Sequence, residues 1–220
     1  MKYAESRIIC EVVQKRDNLT EPKRRGRPRG YDPQVALARA AEKFWKAGYA
    51  GTSLDDLVEA TGMNRPSLYA AFGDKRDLYL KTLEYYRDQG RELARHALAS
   101  EPTLRVFLKR FYDKALDLYL QDGPRGCYSI GTAATVAAVD DNVRAFLADS
   151  MRSTDGFLKS QIEKGQARGE IARDADPANL AYIATATLHT LAIRSRAGLP
   201  RKELETLVKA AIGVICETAR

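Results

Sequence analysis

The chain has 220 residues, of which 45% are hydrophobic, and this is long enough for one average domain and a smaller one. It has no apolar run of the roughly 18 residues that a membrane span needs, so neither a span nor a secretory signal is expected. Its three cysteines, Cys10, Cys127 and Cys216, are odd in number and lack C-x-x-C spacing. We therefore expect no disulfide framework, metal site or cofactor, and a reducing cytoplasmic setting.

The positive charge is concentrated at the N-terminus. The formal net charge is +7, and residues 1 to 30 hold nine basic and four acidic side chains, whereas residues 31 to 90 hold eight and nine. A basic leader of this kind is typical of an arm that binds a polyanion. A solubilising tail is the alternative.

Residues 21 to 30 are rich in proline, glycine and charge, so the arm is expected to be disordered when free. The stretch Arg25-Gly26-Arg27-Pro28 resembles the core of an AT-hook. An arginine-bearing strand of this type lies in a narrow minor groove, where the negative potential is strongest. Arg25, Arg27 and Arg29 are therefore candidate DNA contacts.

Two helix starts follow within the next thirty residues. Asp32 is an N-cap candidate before Pro33, and apolar residues at helical spacing continue to Gly48, which predicts the first helix. Ser53 has an acidic residue three positions later, the pattern of a capping box, and Gly62 ends this second helix after about two turns.

A third helix start comes directly after Gly62. Asn64 is the N-cap candidate, Pro66 suits the first turn, and Leu68 and Phe72 are spaced to face inward. Gly73 and Asp74 then separate this helix from a fourth one.

Beyond residue 90 the pattern predicts longer helices and no strand. Helices are expected from Thr103 to Leu120, from Asp140 or Asp141 to near Gly169, from Pro177 to Arg196 and from Arg201 to Thr218. The predicted fold is all-α, with about nine helices. Its parts are a basic arm at 1–30, a three-helix domain at 31–80 and a larger helical bundle at 81–220.

The pattern around Gly62 predicts a helix-turn-helix, with an ordinary helical hairpin as the alternative. Residues 31 to 80 further resemble the signature of the TetR family of transcriptional regulators, with Val58 and Asn64 as minor departures. The resemblance rests on Gly51-Thr52-Ser53-Leu54-Asp55-Asp56-Leu57-Val58, Thr61-Gly62-Met63-Asn64 and Ser67-Leu68-Tyr69-Ala70-Ala71-Phe72-Gly73-Asp74-Lys75.

The resemblance implies that the third helix enters the major groove of an operator. Arg65 is suited to donate to guanine, and Pro66 to touch a thymine methyl group. Ser67 is suited to bond either a hydrogen-bond donor or an acceptor on a base. The remaining candidates near this helix are expected to bond phosphates or to cap helix ends, with packing against Phe72 as the alternative for Tyr69. They are Thr52, Ser53, Asn64, Tyr69 and Lys75.

Reading a two-fold operator requires a second copy of the motif, so we expect a homodimer. The family resemblance implies that the last two helices form a four-helix interface, while packing within one chain is the alternative. The candidate interface residues are Ile183, Thr187, Leu191, Leu204, Leu207, Val208, Ala211, Val214 and Ile215.

An aromatic-rich stretch in the middle of the chain would form the pocket for a small-molecule inducer on the same resemblance. The candidate ligand residues are Phe107, Phe111, Tyr112, Tyr119, Cys127, Tyr128, Phe146, Met151, Phe157 and His189. Plain core packing is the alternative for each. Cys127 follows Gly126 at a helix start, where a lowered pKa would suit a redox or metal sensor, the alternative being a small buried cysteine.

The expected function is that of a ligand-responsive transcriptional regulator, a repressor that a small molecule releases from its operator. An architectural DNA-binding protein without ligand control is the main alternative. An enzyme is disfavoured because the chain lacks the G-x-S-x-G, H-E-x-x-H, G-x-G-x-x-G and phosphate-loop patterns.

Overall fold

The computed structural model describes residues 31–97 and 101–217, so the predicted arm with Arg25, Arg27 and Arg29 lies outside the described residues. Within those two ranges the chain forms nine helices and no strand, which confirms the predicted all-α fold. No helix there combines the length and the apolar character that crossing a bilayer requires.

The first three helices follow the caps that the sequence predicts. They are α1 (Pro33–Ala47), α2 (Leu54–Thr61) and α3 (Arg65–Phe72). The carboxylate of Asp32 accepts from the backbone of Gln34, and the side chain of Asn64 accepts from that of Ser67. Each cap satisfies a backbone N–H that the helix start leaves without an intrahelical partner, so these boundaries are set locally.

The remaining helices build the larger part of the molecule. They are α4 (Lys75–Ala97), α5 (Leu104–Leu120), α6 (a π-helical turn Ser129–Ala133 that continues as the α-helical turn Ala134–Val136), α7 (Asp141–Ala167), α8 (Pro177–Arg196) and α9 (Arg201–Glu217). Asp140, one of the two predicted candidates, is the N-cap of α7.

Two hydrophobic clusters organise these helices. The first, which we call the bundle core, joins α5, α7, α8 and α9 around residues such as Leu108 and Leu191. The second, which we call the head core, joins α1 to α4 around Phe44 and Tyr79. The head core also contains Tyr128, Ala133, Val136, Ala137, Val143 and Phe146 from α6, the segment around it and α7. Helices α1 and α4 thus pack directly onto α6, and the head core extends from them to the start of α7.

Buried hydrogen bonds tie α4 to α6 at this contact. The Tyr79 hydroxyl donates to Thr132 Oγ1 at 2.9 Å, and the hydroxyls of Thr82 and Tyr128 are hydrogen-bonded at 2.7 Å. Because unmade bonds of buried hydroxyls are costly, these pairs fix one relative position of the two helices.

Candidate nucleic-acid interface

The turn between α2 and α3 fixes the angle at which α3 is presented. Gly62 has φ 69° and ψ 14°, a left-handed conformation that glycine adopts without steric cost, and its N–H donates to the Val58 carbonyl at 3.0 Å. Met63 is buried in the corner, and the hydroxyl of Thr61 donates to the Leu57 carbonyl. This is the compact turn that the sequence predicts for a helix-turn-helix.

The two faces of α3 separate cleanly. Leu68 and Phe72 are buried in the head core as predicted, while Arg65, Pro66 and Tyr69 are exposed. Tyr69 keeps 46% of its surface accessible, which argues against its alternative role as a packing residue. Ser67 is half-buried. One side of α3 therefore offers a cation, a hydroxyl and apolar surface to a ligand, as major-groove readout requires.

Arg65 forms an ion pair with a carboxylate that the sequence pattern does not single out. Its Nη2 lies 2.5 Å from Oδ1 of Asp55 in the first turn of α2. The hydrogen bond to Asp55 raises the pKa of Arg65 above its ordinary value. The only sequence signal for this pair is that the two residues lie at the starts of helices joined by a tight turn.

The start of α2 is a capping box. Ser53 accepts from the backbone of Asp56, and Asp56 accepts from the backbone N–H of Ser53 at 2.8 Å. Lys43 of α1 lies 2.6 Å from the other oxygen of Asp56. The hydrogen bond from Lys43, followed by those from Ser53, holds the pKa of Asp56 well below its usual range.

The structure places the other expected phosphate contacts differently from one another. Thr52 is buried, and its hydroxyl donates to the Gly48 carbonyl at 2.7 Å, so its side chain supports the loop. The expectation of a surface phosphate contact was wrong for this hydroxyl. Lys75 lies at the start of α4 with Nζ 4.4 Å from the ring centroid of Tyr49, which the sequence reasoning missed. The residue as a whole is half-buried, and its ammonium group remains suited to a phosphate.

The expected ligand residues are divided between the two clusters. Phe107, Phe111 and Phe157 contact one another between α5 and α7, with ring centroids 5.9 to 6.2 Å apart. Tyr112 and Tyr119 are buried in the bundle core beside them, and Cys127 packs against it. Tyr128 and Phe146 belong to the head core, and Met151 and His189 are half-buried on α7 and α8.

Burial shifts the pKa values of the cysteine and the histidine in that set in opposite directions. Burial raises the pKa of the Cys127 thiol, contrary to the lowered pKa considered for a sensor cysteine, because a thiolate is poorly solvated there. Burial lowers the pKa of His189, which keeps its imidazole neutral near pH 7. Within the described residues no group of three or more His, Cys, Asp or Glu side chains is arranged to hold a metal ion.

The expected dimer residues fall into two sets. Five of them are buried within a single chain and are core residues, so the expectation of an accessible interface position was wrong for them: Thr187, Leu191, Leu204, Val208 and Ile215. The other four keep accessible surface: Ile183, Leu207, Ala211 and Val214. Tyr182 and Ile193, which were not among the expected residues, are 60% and 61% exposed on α8. Both faces of α8 are apolar, so helical spacing alone does not tell which one faces inward.

An open groove of about 290 Å³ lies where α6 meets α8. Ile130, Gly131, Ala192, Ile193, Arg196 and Ala197 line it. The side chain of Arg196 reaches over Gly131, where a Cβ would lie 2.8 Å from its Nη1.

Comparisons with known proteins agree with this architecture. Residues 36–82 match the family "Bacterial regulatory proteins, tetR family", and residues 105–211 match "Tetracyclin repressor-like, C-terminal domain". The HTH-type transcriptional repressor ComR of Escherichia coli (strain K12) is 32% identical over 186 residues, 83% of this chain and 88% of ComR. The transcriptional regulator AcuR of Cereibacter sphaeroides is 27% identical over 175 residues, 74% of this chain and 78% of AcuR.

A solved structure shows the same fold on DNA. A cysteine-substituted TetR family transcriptional regulator CifR, complexed with 26-base-pair operator DNA, superposes with a TM-score of 0.78 and 31% identity, covering 85% of this chain and 98% of CifR. The two family matches, the repressor ComR and the head geometry identify one class of protein. The chain belongs to the TetR family and is a DNA-binding transcriptional regulator.

Proposed function

We propose that the chain is a homodimeric repressor that binds operator DNA through α3 and is released from it by a small molecule. The observation that carries the proposal is the exposed row of Arg65, Pro66 and Tyr69 on a helix whose angle is fixed by the Gly62 turn. ComR is named a repressor, and CifR was solved on its operator, which supports the same use of the head in this chain.

Two faces would hold the dimer together. Half of the exposed large hydrophobic residues in the described ranges lie on α8 and α9, namely Tyr182, Ile183, Ile193 and Val214. Scattered single apolar residues on a surface are ordinary, but a concentration on two adjacent helices is typical of an interface. A second copy of the same two helices would cover this apolar surface, because a two-fold axis places like surfaces against each other.

The inducer would act in the bundle. The cluster of Phe107, Phe111 and Phe157 is only partly buried at two of its three rings, and it lies between α5 and α7. An aromatic lining with accessible edges suits an uncharged or aromatic small molecule. Its binding would alter the packing of α7, which also carries Val143 and Phe146 into the head core.

The basic segment at 21–30 would add minor-groove contacts through Arg25, Arg27 and Arg29. Removal of residues 1 to 29 is expected to lower affinity most on operators with A·T-rich flanks, since their minor groove is narrow and most negative. Equal losses on G·C-rich flanks would contradict a minor-groove role.

The experiment that tests the proposal starts from a pool of random-sequence DNA duplexes bound by the full chain. Selected duplexes should share a two-fold sequence, and sedimentation velocity should give complexes with an even number of chains per site. A thermal-shift screen of metabolites should then find compounds that stabilise the protein and dissociate the selected duplex. Enrichment of no sequence, with binding that no compound reverses, would favour the architectural alternative.

A further inference from the structure

The ion pair between Arg65 and Asp55 crosses from α3 to α2 at the surface that carries the exposed side of α3. The two side chains are 55% and 75% exposed, and Nη2 lies 2.5 Å from Oδ1. Ion pairs between side chains this exposed contribute little to folding stability, because solvent screens them and their ordering costs entropy. The pair therefore calls for an explanation other than stability.

The helix ends on either side explain why the pair forms. Arg65 is the first residue of α3, where the positive end of the helix dipole disfavours a cation. Asp55 lies in the first turn of α2, where the same effect favours a carboxylate. Asp55 thus supplies a stable acceptor that offsets the unfavourable position of Arg65.

The shape of the guanidinium group explains what the pair does. Arginine presents five N–H donors in one plane, and the contact with Asp55 uses Nη2. The remaining donors are free to bond O6 and N7 of guanine, the commonest specific contact in a major groove. A guanidinium that is already oriented loses less side-chain entropy on binding DNA than one that moves freely.

We propose that Asp55 is a positioning residue that orients Arg65 for guanine and thereby sets sequence discrimination. The proposal rests on the proposed function of α3 as the DNA-reading helix. The negative charge of Asp55 also repels phosphates, but this lowers the affinity for every duplex alike and cancels when the affinities for two duplexes are compared.

The test uses full-length variants and two duplexes, one selected from a random pool by the wild-type chain and one with its sequence scrambled. The measured quantity is the ratio of the two affinities at a fixed salt concentration. Asp55→Asn should lower this ratio about tenfold, the order of one guanine contact. Glu59→Gln is the matched control, since it also removes one exposed carboxylate from α2, and it should leave the ratio within about twofold.

The double variant Asp55→Asn with Arg65→Ala separates positioning from direct contact. If Asp55 acts through Arg65, adding Asp55→Asn to Arg65→Ala should not lower the ratio further. A further loss in that background would mean that Asp55 contacts a base itself, and an Asp55→Asn ratio equal to that of Glu59→Gln would mean that it positions nothing. Either result overturns the proposal.

Failure of the proposed function would look different. If Arg65→Ala alone leaves the ratio unchanged, the assignment of base readout to Arg65 is wrong and with it the role of Asp55. If Arg65→Ala lowers the ratio and Asp55→Asn does not, only the positioning role is wrong. Thermal unfolding midpoints within a few degrees for all variants would confirm that folding does not account for the changes.

Discussion

The guanidinium group of Arg125 lies over the indole ring of Trp45, with Cζ 3.9 Å from the ring centroid. Arg125 comes from the loop before α6 and Trp45 from α1, so the contact joins the DNA-reading head to the rest of the chain. The backbone carbonyl of Arg125 accepts from Trp45 Nε1 and from Arg196 of α8, both at 3.3 Å. The Arg125 side chain also pairs with Glu42 of α1. One residue thus contacts the head and the helix proposed to form the dimer.

Arg125→Ala is expected to lower the free energy of unfolding by about 2 kcal/mol, because a desolvated cation–π contact and an ion pair are lost together. Lys46→Ala is the matched control. Lys46 also pairs with Glu42, at 3.1 Å, but on the exposed side, so its loss should cost under about 0.5 kcal/mol. Urea denaturation at pH 7 measures both. Equal losses would show that the Trp45 contact contributes nothing beyond a surface pair.

Tyr69→Phe and Lys75→Ala are expected to weaken DNA binding by a similar factor on every sequence, because both groups are assigned to phosphates. Lys75→Ala should also reduce the slope of log affinity against log salt by about one. Fluorescence anisotropy with selected and scrambled duplexes at several salt concentrations measures this. An unchanged slope for Lys75→Ala would show that its cation–π contact with Tyr49 is its whole role.

Ile193→Asp is expected to shift the chain from dimer to monomer, because it places a charge within a face proposed to meet its own copy. Val214→Asp should do the same from α9. Val139→Asp is the control, since Val139 is 86% exposed and lies outside α8 and α9. Sedimentation velocity distinguishes the states. A dimer that survives both interface variants would rule out this surface.

Alkaline pH is expected to destabilise the protein through its buried tyrosines. Burial raises the pKa of Tyr79 to about 12, above its ordinary value of 10.0. A group whose pKa is raised on folding contributes stability that is complete below pH 10 and is lost as the pH rises to the folded value. Each such tyrosine therefore lowers the free energy of unfolding by about 1.4 kcal/mol per pH unit in that window.

Tyr79→Phe tests this dependence. The variant should lose the hydrogen bond to Thr132 and be less stable at pH 7, but its stability should fall less steeply between pH 10 and 12. Chemical denaturation across that range measures the difference. Parallel curves for the variant and the wild type would contradict the contribution of Tyr79.

The parts of this fold that sequence predicts well are those that local chemistry decides. Asp32, Ser53 and Asn64 cap their helices as predicted because a cap involves only the next three residues. The separation of Leu68 from Tyr69 on α3 likewise follows from helical spacing next to a fixed turn.

The parts that sequence predicts poorly depend on which surface faces which neighbour. Leu191 and Ile193 are both apolar residues on α8, yet the first is buried in its own chain and the second is exposed. Tyr128 belongs to the aromatic-rich stretch from which the family resemblance predicts a ligand pocket, but its ring lies 5.8 Å from that of Trp45 in the head core. Thr52 comes just before the start of α2, a position that is expected from sequence to be exposed, and only the fold of the loop turns its hydroxyl inward.

The shared head core limits how this regulator can be recombined with others. Tyr128, Ala133, Val136, Val143 and Phe146 complete the packing around Trp45 and Tyr79, although they follow the head by some fifty residues or more in the sequence. A chimera that joins residues 31–80 to a foreign bundle would leave this apolar surface facing unmatched side chains. Exchange of DNA specificity between such proteins is therefore expected to succeed through substitutions on the exposed side of α3, where none of the core contacts changes.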